Sequence, residues 1–224
     1  MIVARFKAPV IRPGLTQVHV LLGISMGQYY LCGDYFAAFV KLINAYRSSI
    51  KKLTLVPTGD LKRYVIQLEQ PQLAADKVEV LARQLNEVWL QEQKRWLEQL
   101  IVPLEIIPWE KFRLTNTFQA SFALTSQEYL ANAAFQKYVN ELAEKYSLRT
   151  LEHFSSIGVK TKSEDCFNAM KCYCMEESSM YAEFIRYGIN TQIYPGKWNK
   201  AMEHMYKKYA PADPMPWVEF RFNV

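Results

Sequence analysis

The sequence contains few cysteines and histidines and no long apolar run, and each scarcity excludes a class of protein. The cysteines, which show no repeated C-x-x-C spacing, are Cys32, Cys166, Cys172 and Cys174. Without that spacing we expect no zinc site, and free thiols in a reducing cytoplasm are the simplest interpretation. No apolar run reaches the length of about 18 residues that a membrane-spanning helix needs, and residues 1–13 lack the apolar core of a secretory signal. We therefore expect a cytoplasmic protein that holds no metal and spans no membrane.

Phosphate-binding loops are also missing from the sequence. Because it has no G-x-G-x-x-G and no Walker sequence, it offers no glycine-rich cradle for a dinucleotide or a nucleoside triphosphate, and we expect no cofactor. Lysine and arginine together number 27 against 22 acidic residues, and the net charge of +5 permits a polyanionic partner. The chain of 224 residues shows no internal repeat and no linker, so we expect a single domain over residues 1–224.

Apolar periodicity predicts strands that alternate with helices. We predict strands at about 16–24, 51–57, 104–109, 189–194 and 217–222, and helices at about 34–48, 74–100, 126–146, 163–187 and 197–209. Ser126 and Ser163 are the predicted caps of their helices, residues 1–14 are expected to be irregular, and 61–70 fits either a strand or a helix. This alternation indicates an α/β fold, a single Rossmann-like domain with a mainly parallel sheet flanked by helices.

The stretch His19-Val20-Leu21-Leu22-Gly23-Ile24-Ser25 organises the rest of the chain. Its apolar run is typical of a strand that is buried on both faces of a sheet. Ser25 then follows the carboxyl end of the strand, which is where parallel α/β sheets bind ligands. Its hydroxyl suits a nucleophile at that position, although a helix-capping serine would give the same local pattern.

Residues 23–27 also fit the G-x-S-x-G pattern of the hydrolase nucleophile elbow. A serine esterase could then order its triad as Ser25, Asp165 and His204. Few residues precede Ser25, however, and none forms a glycine-rich loop that could supply an oxyanion-hole amide. A serine esterase is therefore the alternative enzyme.

Two further segments carry polar groups that suit a binding site. Tyr173 and Glu177 are four residues apart in a predicted helix, so their phenol and carboxylate share one face and could hold an ammonium group. Tyr194 ends the predicted strand at 189–194 and is followed by Pro195, which places its hydroxyl at the same sheet edge as Ser25. Ordinary packing at the margin of the core would explain either segment taken alone.

Together the three segments resemble the tRNA-dependent cyclodipeptide synthases. The stretch from His19 to Ser25 is similar to the nucleophile motif of that family, and Tyr173 with Glu177 is similar to its second motif. Gln28, Tyr194 and Pro195 resemble the branch that has a variable residue followed by Tyr and Pro. The resemblance covers about residues 15–209, and it departs from the family at Ser179, where the family usually has proline.

The resemblance implies a monomer whose fold is similar to the catalytic domain of class I tyrosyl- and tryptophanyl-tRNA synthetases. It implies a ping-pong reaction in which Ser25 takes an aminoacyl group from one aminoacyl-tRNA. A dipeptidyl-enzyme then forms with a second aminoacyl-tRNA and releases a cyclic dipeptide. By the same resemblance, Tyr173 and Glu177 bind the ammonium group, and Tyr194 either handles a proton or stabilises the carbonyl during transfer. The implied substrate-binding residues are Leu21, Gly23, Gln28 and Pro195. A tRNA-binding module without catalysis is the non-enzymatic alternative.

Binding of tRNA requires phosphate contacts, which the predicted helix 74–100 is too acidic to supply. The basic residues that we expect to bind tRNA are Lys41, Arg47, Lys51, Lys52, Lys62, Arg63, Lys197 and Lys200. The same residues would be unremarkable on an ordinary solvated surface. His19 lies too far from Ser25 on an extended strand to act as its base, so we interpret it as structural.

Overall fold

A six-stranded sheet forms the centre of the computed structural model, which describes residues 2–7, 18–209 and 217–223. The strands are β1 Val3–Phe6, β2 Val18–Ile24, β3 Ile50–Pro57, β4 Leu104–Ile106, β5 Thr191–Tyr194 and β6 Trp217–Asn223. Their order across the sheet is β1-β6-β5-β2-β3-β4, and every pairing is parallel except that of β1 with β6. The α/β fold with a mainly parallel sheet is thus confirmed.

The first strand corrects one expectation. Residues 3–6, predicted to be irregular, pair antiparallel with residues 220–223. The partner strand lies more than two hundred residues away in the sequence, so no local pattern could predict the pairing. The breakers Pro9, Pro13 and Gly14, on which the expectation rested, lie outside the described residues.

Helices cover both faces of the sheet. They are α1 Gly33–Ala45, α2 Arg63–Glu69, α3 Ala75–Leu97, α4 Trp109–Arg113, α5 Asn116–Ala131, α6 Ala133–Ser156, α7 Ser163–Ser179, α8 Tyr181–Arg186 and α9 Lys200–Tyr209. Short 3₁₀ turns span Tyr29–Leu31 and Gly59–Lys62. The ambiguous stretch 61–70 is therefore helical, because α2 follows the second 3₁₀ turn directly.

The predicted helix 126–146 is wrong, since it spans parts of two longer helices. Ser126 lies inside α5 and donates its hydroxyl to the carbonyl of Phe122, so it does not cap a helix. Thr115 caps α5 by accepting from the amide of Phe118. Asn132 ends that helix and caps α6 through its side-chain oxygen.

The predicted helix 163–187 is interrupted once. Its first part, α7, ends at Ser179, and α8 begins at Tyr181 after a single intervening residue. Ser163 is the first residue of α7 and not its cap, because Lys162 occupies the capping position without a side-chain hydrogen bond. The predicted end is confirmed at Gly188, whose φ of 69° is the left-handed conformation that follows helix termini.

Alternation along β2 decides which side chains face the functional side of the sheet. Val20, Leu22 and Ile24 pack with α1 and α3 in one core. Leu21 points the other way, into a second core that α4, α5, α8 and α9 complete. Gly23 and Ser25 share the face of Leu21, because the side-chain period of a strand is two. A third cluster joins α6, α7 and α9.

Candidate active site

A cavity of about 350 Å³ opens at the carboxyl edge of β2 and β5, between the sheet and helices α6 and α7. This volume lies within the range of roughly 300–1,000 Å³ that is typical of small-molecule sites. The predicted residues that border it are Leu21, Gly23, Ser25, Gln28, Lys62, Tyr173, Glu177, Tyr194 and Lys197. Pro195 does not border the cavity, so any effect it has on a substrate acts through the placement of Tyr194.

Ser25 and Tyr194 meet at the floor of the cavity. Because β2 and β5 are neighbours in parallel register, with Leu21 opposite Gln192, their carboxyl ends lie side by side. The hydroxyl oxygens of Ser25 and Tyr194 share a hydrogen bond of 3.0 Å, and the hydroxyl of Tyr30 is 3.4 Å from that of Tyr194. Burial raises the pKa of Tyr194 above its ordinary value, so its phenol stays protonated at neutral pH.

The turn after Ser25 explains one glycine of the G-x-S-x-G pattern. The amide of Gln28 donates to the carbonyl of Ser25, which closes a tight turn. Gly27 adopts a φ of 83° inside that turn, a conformation that side chains with a Cβ rarely accept. The turn directs the chain into the 3₁₀ segment that carries Tyr30. Gly27 therefore allows the turn that places Tyr30 beside Tyr194.

The esterase triad is not assembled. His204 lies in α9, where its ring bonds to Glu128 at 2.9 Å and stacks on Phe135. Asp165 is exposed in the first turn of α7. Neither residue borders the cavity that contains Ser25. The structure thus contradicts the triad of Ser25, Asp165 and His204.

Glu177 supplies the acidic group of the cavity. As their spacing predicts, Tyr173 and Glu177 both face the cavity from α7. The Oε2 atom of Glu177 is buried and makes no hydrogen bond within the described part of the chain. Burial raises the pKa of this carboxyl to about 7, because the charged form loses its hydration. An ammonium group placed there would provide the missing partner.

Phenol groups surround this carboxyl. The ring of Tyr173 lies edge-on to those of Tyr146 and Tyr64, with ring centroids 5.7 Å and 6.4 Å apart, respectively. The pKa of Tyr173 and of Tyr146 is raised well above the ordinary value. The main cause is the burial of both phenols, and the second is the negative charge of Glu177 nearby. The phenols therefore remain neutral, and the carboxylate of Glu177 is the centre of negative charge among them.

The neighbouring Glu176 points away from the cavity into an internal network. It accepts from the indole N–H of Trp109 at 2.8 Å, from the hydroxyl of Tyr64 at 2.7 Å and from the guanidinium of Arg63. Arg63 also donates to Asp60 at 2.9 Å. Arg63, expected among the tRNA contacts, is therefore occupied by two buried carboxylates. Its contribution is to hold α7 against α2, which fixes the direction of Glu177.

The other expected tRNA contacts fall on two sides of the sheet. Lys52 lies opposite His19 in the register and forms an ion pair with Glu105 at 2.6 Å, while Lys51 is exposed beside it. They are about 20 Å along the strands from Ser25. Exposed Lys41 and Arg47 lie on α1 and just after it, and exposed Lys200 begins α9. Lys62 and Lys197 border the cavity itself.

Two basic residues at the cavity escaped the sequence analysis. Lys145 and Arg149 are four residues apart on α6 and border the same cavity as Ser25. The predicted helix ended at 146, before Arg149, so their shared face was not evident. His19 bonds to Thr54 at 2.7 Å and does not border the cavity. Among the described residues, no three His, Cys, Asp or Glu side chains gather as a metal-ligand set, and no helix is long and apolar enough to cross a membrane.

Comparisons with known proteins identify similar structures but no similar sequence. No protein-family model matches the chain, and no curated protein matches it by sequence. A cyclodipeptide synthase from Fluoribacter dumoffii superposes with a TM-score of 0.87 at 25% identity, over 100% of this chain and 98% of that one. The synthase of Candidatus Glomeribacter gigasporarum, solved bound to Phe-tRNAPhe, gives 0.82 at 22% identity, over 96% and 93% of the two chains. Tyrosyl-tRNA synthetase from Archaeoglobus fulgidus gives 0.50 at 8% identity, over 91% of this chain and 54% of that one.

Proposed function

We propose that the chain is a cyclodipeptide synthase, as its likeness over its whole length to the enzyme from Fluoribacter dumoffii supports, and that it forms a cyclic dipeptide from two aminoacyl-tRNAs. The observation that carries the proposal is one cavity that contains both the Ser25 hydroxyl, bonded to Tyr194, and the carboxyl of Glu177, whose buried Oε2 has no hydrogen-bond partner among the described residues. A nucleophile and an ammonium site in one enclosure suit a substrate that has an α-amino group beside a reactive carbonyl. An aminoacyl ester is such a substrate.

In the first step, the Ser25 oxygen attacks the ester carbonyl of the first aminoacyl-tRNA. A bond forms from the serine oxygen to the carbonyl carbon, the bond to the ribose oxygen breaks, and that oxygen leaves with the serine proton. Glu177 and Tyr173 hold the ammonium group, so that the carbonyl is directed at Ser25. The ammonium also favours the ionised form of Glu177, because opposite charges in a buried site stabilise each other.

In the second step, the amine of the acyl-serine attacks the ester carbonyl of another aminoacyl-tRNA. An amide bond forms, the bond to the ribose oxygen breaks, and the tRNA leaves with the proton that the amine gives up. The free amine of the resulting dipeptidyl-serine then attacks the remaining ester carbonyl, closes the six-membered ring and releases Ser25. Tyr194 retains its proton at neutral pH and therefore suits donation to the carbonyl oxygen as negative charge develops there. Ping-pong kinetics follow from this order of steps.

The sheet face that carries Leu21 and Gly23 is the proposed pocket for the first aminoacyl side chain. Val56 and Met202 extend the same apolar surface around the cavity, and Gln28 lies at its border. The resemblance of Gln28, Tyr194 and Pro195 supports a place for the chain in the variable-Tyr-Pro branch. The resemblance further implies a cytoplasmic monomer, and the relative bound to Phe-tRNAPhe supports aminoacyl-tRNA as the partner.

The decisive experiment incubates the protein with a mixture of charged tRNAs and identifies cyclic dipeptides by mass spectrometry. Quenched samples are weighed intact for an aminoacyl adduct, which peptide mapping should place on Ser25. Ser25→Ala should make neither the adduct nor the product. Continued synthesis by Ser25→Ala would refute the proposed nucleophile, and tRNA binding without either species would favour the non-catalytic binding module.

A further inference from the structure

Four basic side chains border the cavity that contains Ser25. Lys62 ends the 3₁₀ turn after β3, Lys145 and Arg149 project from α6, and Lys197 follows β5. They approach the opening from three separate elements. Glu177 is the single acidic residue among the described residues that border the cavity, so positive charge predominates around it.

These four side chains are not used to hold the fold together. None of them forms an ion pair with a carboxylate in the described part of the chain, whereas Lys52, Arg63 and Arg113 all do. Lys62 is half-buried, and burial without a neighbouring carboxylate lowers its pKa. Like charges gathered at one opening repel each other, and an anionic ligand would relieve that repulsion.

We propose that Lys62, Lys145, Arg149 and Lys197 form a collar that binds the phosphodiester groups of the single-stranded 3′ end of charged tRNA. The inference rests on the proposed function and adds the residues that guide the aminoacyl ester to Ser25. The phosphates next to the terminal ribose must lie near the mouth when the ester carbonyl lies beside Ser25. Arg149 presents a planar guanidinium that can bond two phosphate oxygens at once, and the lysines supply point charges.

The collar is distinct from the outer basic residues. Lys51 and Lys52 lie at the opposite edge of the sheet, Lys41 lies on α1 and Arg47 follows it, and none of the four borders the cavity that contains Ser25. Contacts with the outer residues would bind the body of the tRNA. The collar alone is placed to act on a substrate that consists only of the 3′ terminus.

The test compares three acyl donors that share one ester and differ in phosphate content. These donors are charged tRNA, an aminoacylated CCA trinucleotide, and 2′(3′)-O-aminoacyl-adenosine, which has no phosphate. Single-turnover acylation of Ser25 is followed by intact mass for the wild type, Lys145→Gln and Arg149→Gln. Lys137→Gln is the matched control, because Lys137 lies on the same helix, is exposed and does not border the cavity.

Arg149→Gln should slow acylation by charged tRNA and by the trinucleotide about tenfold, because a charge-assisted hydrogen bond to phosphate is lost. Lys145→Gln should act in the same direction and more weakly. Acylation by aminoacyl-adenosine should stay within about twofold for both variants, and Lys137→Gln should match the wild type with the trinucleotide. Equal losses with the phosphate-free donor, or losses confined to intact tRNA, would overturn the collar.

Equilibrium binding of uncharged tRNA separates the collar from the chemistry. For Arg149→Gln, the slope of log affinity against log salt should be shallower by about 0.7, the value for one phosphate contact on a single strand. An unchanged slope would overturn the collar. A wild-type protein that shows the collar-dependent slope but never forms a Ser25 adduct would leave the collar in place and refute the proposed function instead.

Discussion

Exchanging each of two adjacent glutamates for glutamine should change stability in opposite directions. Glu177 borders the cavity without a hydrogen-bond partner for Oε2, while Glu176 lies within a network of three donors. We expect Glu177→Gln to stabilise the unliganded protein above pH 7 and Glu176→Gln to destabilise it. The substitution is identical and the positions are consecutive, so each variant is a control for the other.

The magnitude for Glu177 follows from proton linkage. Its pKa rises from the ordinary 4.5 to about 7 on folding, and at 1.36 kcal/mol per pKa unit this corresponds to about 3 kcal/mol. The folded protein holds the proton more tightly than the unfolded chain. Its unfolding free energy therefore falls as pH rises from 4.5 to about 7 and then stays level.

Urea denaturation at several pH values between 5 and 8 measures this effect. The difference in unfolding free energy between Glu177→Gln and the wild type should grow by about 2.5 kcal/mol over that interval, in favour of the variant. Glu176→Gln should cost about 3 kcal/mol throughout, because the Arg63 guanidinium loses one of its buried carboxylates. A Glu177→Gln variant that is less stable than the wild type at pH 8, or a difference that does not vary with pH, would refute the reasoning.

Three further substitutions test the geometry of the site. Tyr194→Phe removes the hydroxyl 3.0 Å from Ser25 but keeps the ring, so Ser25 acylation should slow about 100-fold in single-turnover mass measurements while stability changes by less than about 1 kcal/mol. Gly59→Ala would place a Cβ 2.5 Å from the side-chain oxygen of Asn86 and 2.6 Å from the carbonyl of Ala82, so urea denaturation should show a loss of about 3 kcal/mol. In Gly23→Ala, the added Cβ would have no described atom within 4 Å, so the unfolding free energy should change by less than about 0.5 kcal/mol. In competition assays, the added methyl should slow the acylation of Ser25 by bulky aminoacyl groups more than by glycyl groups. Unchanged acylation in Tyr194→Phe would contradict a role for the Ser25–Tyr194 hydrogen bond. An unchanged unfolding free energy in Gly59→Ala would contradict the close packing at Gly59, and an unfolded Gly23→Ala would contradict the open space at Gly23.

The sequence was most informative where one element alone determines a side chain's position. The spacing of Tyr173 and Glu177 predicted that both lie on one face of α7, and both border the cavity. Tyr194 reached Ser25 because both residues end neighbouring parallel strands. Each of these predictions needs only the period of an element and the direction of a strand.

The structural features that the sequence did not predict depend mainly on residues that are distant in the chain. Strand β1 forms through pairing with β6, and no pattern within residues 3–6 requires it. Arg63 looked like a surface cation until the fold placed Asp60 and Glu176 beside it. The hydrophobic period continued across Asn132, so the break between α5 and α6 was missed although an asparagine cap was present. Arg149 was missed because the predicted helix ended at 146, whereas α6 continues to Ser156.

The wall of the cavity also bears on the lifetime of the proposed serine ester. An enzyme that keeps an activated acyl group while a second tRNA arrives must prevent hydrolysis in the interval. The described wall contains no histidine or aspartate, and its phenols at 146, 173 and 194 keep their protons at neutral pH. A water molecule that enters finds Glu177 as the one carboxylate able to deprotonate it, and the bound ammonium occupies that group. The same ring of tyrosines that orients the substrate would thus protect the intermediate by leaving water without a base.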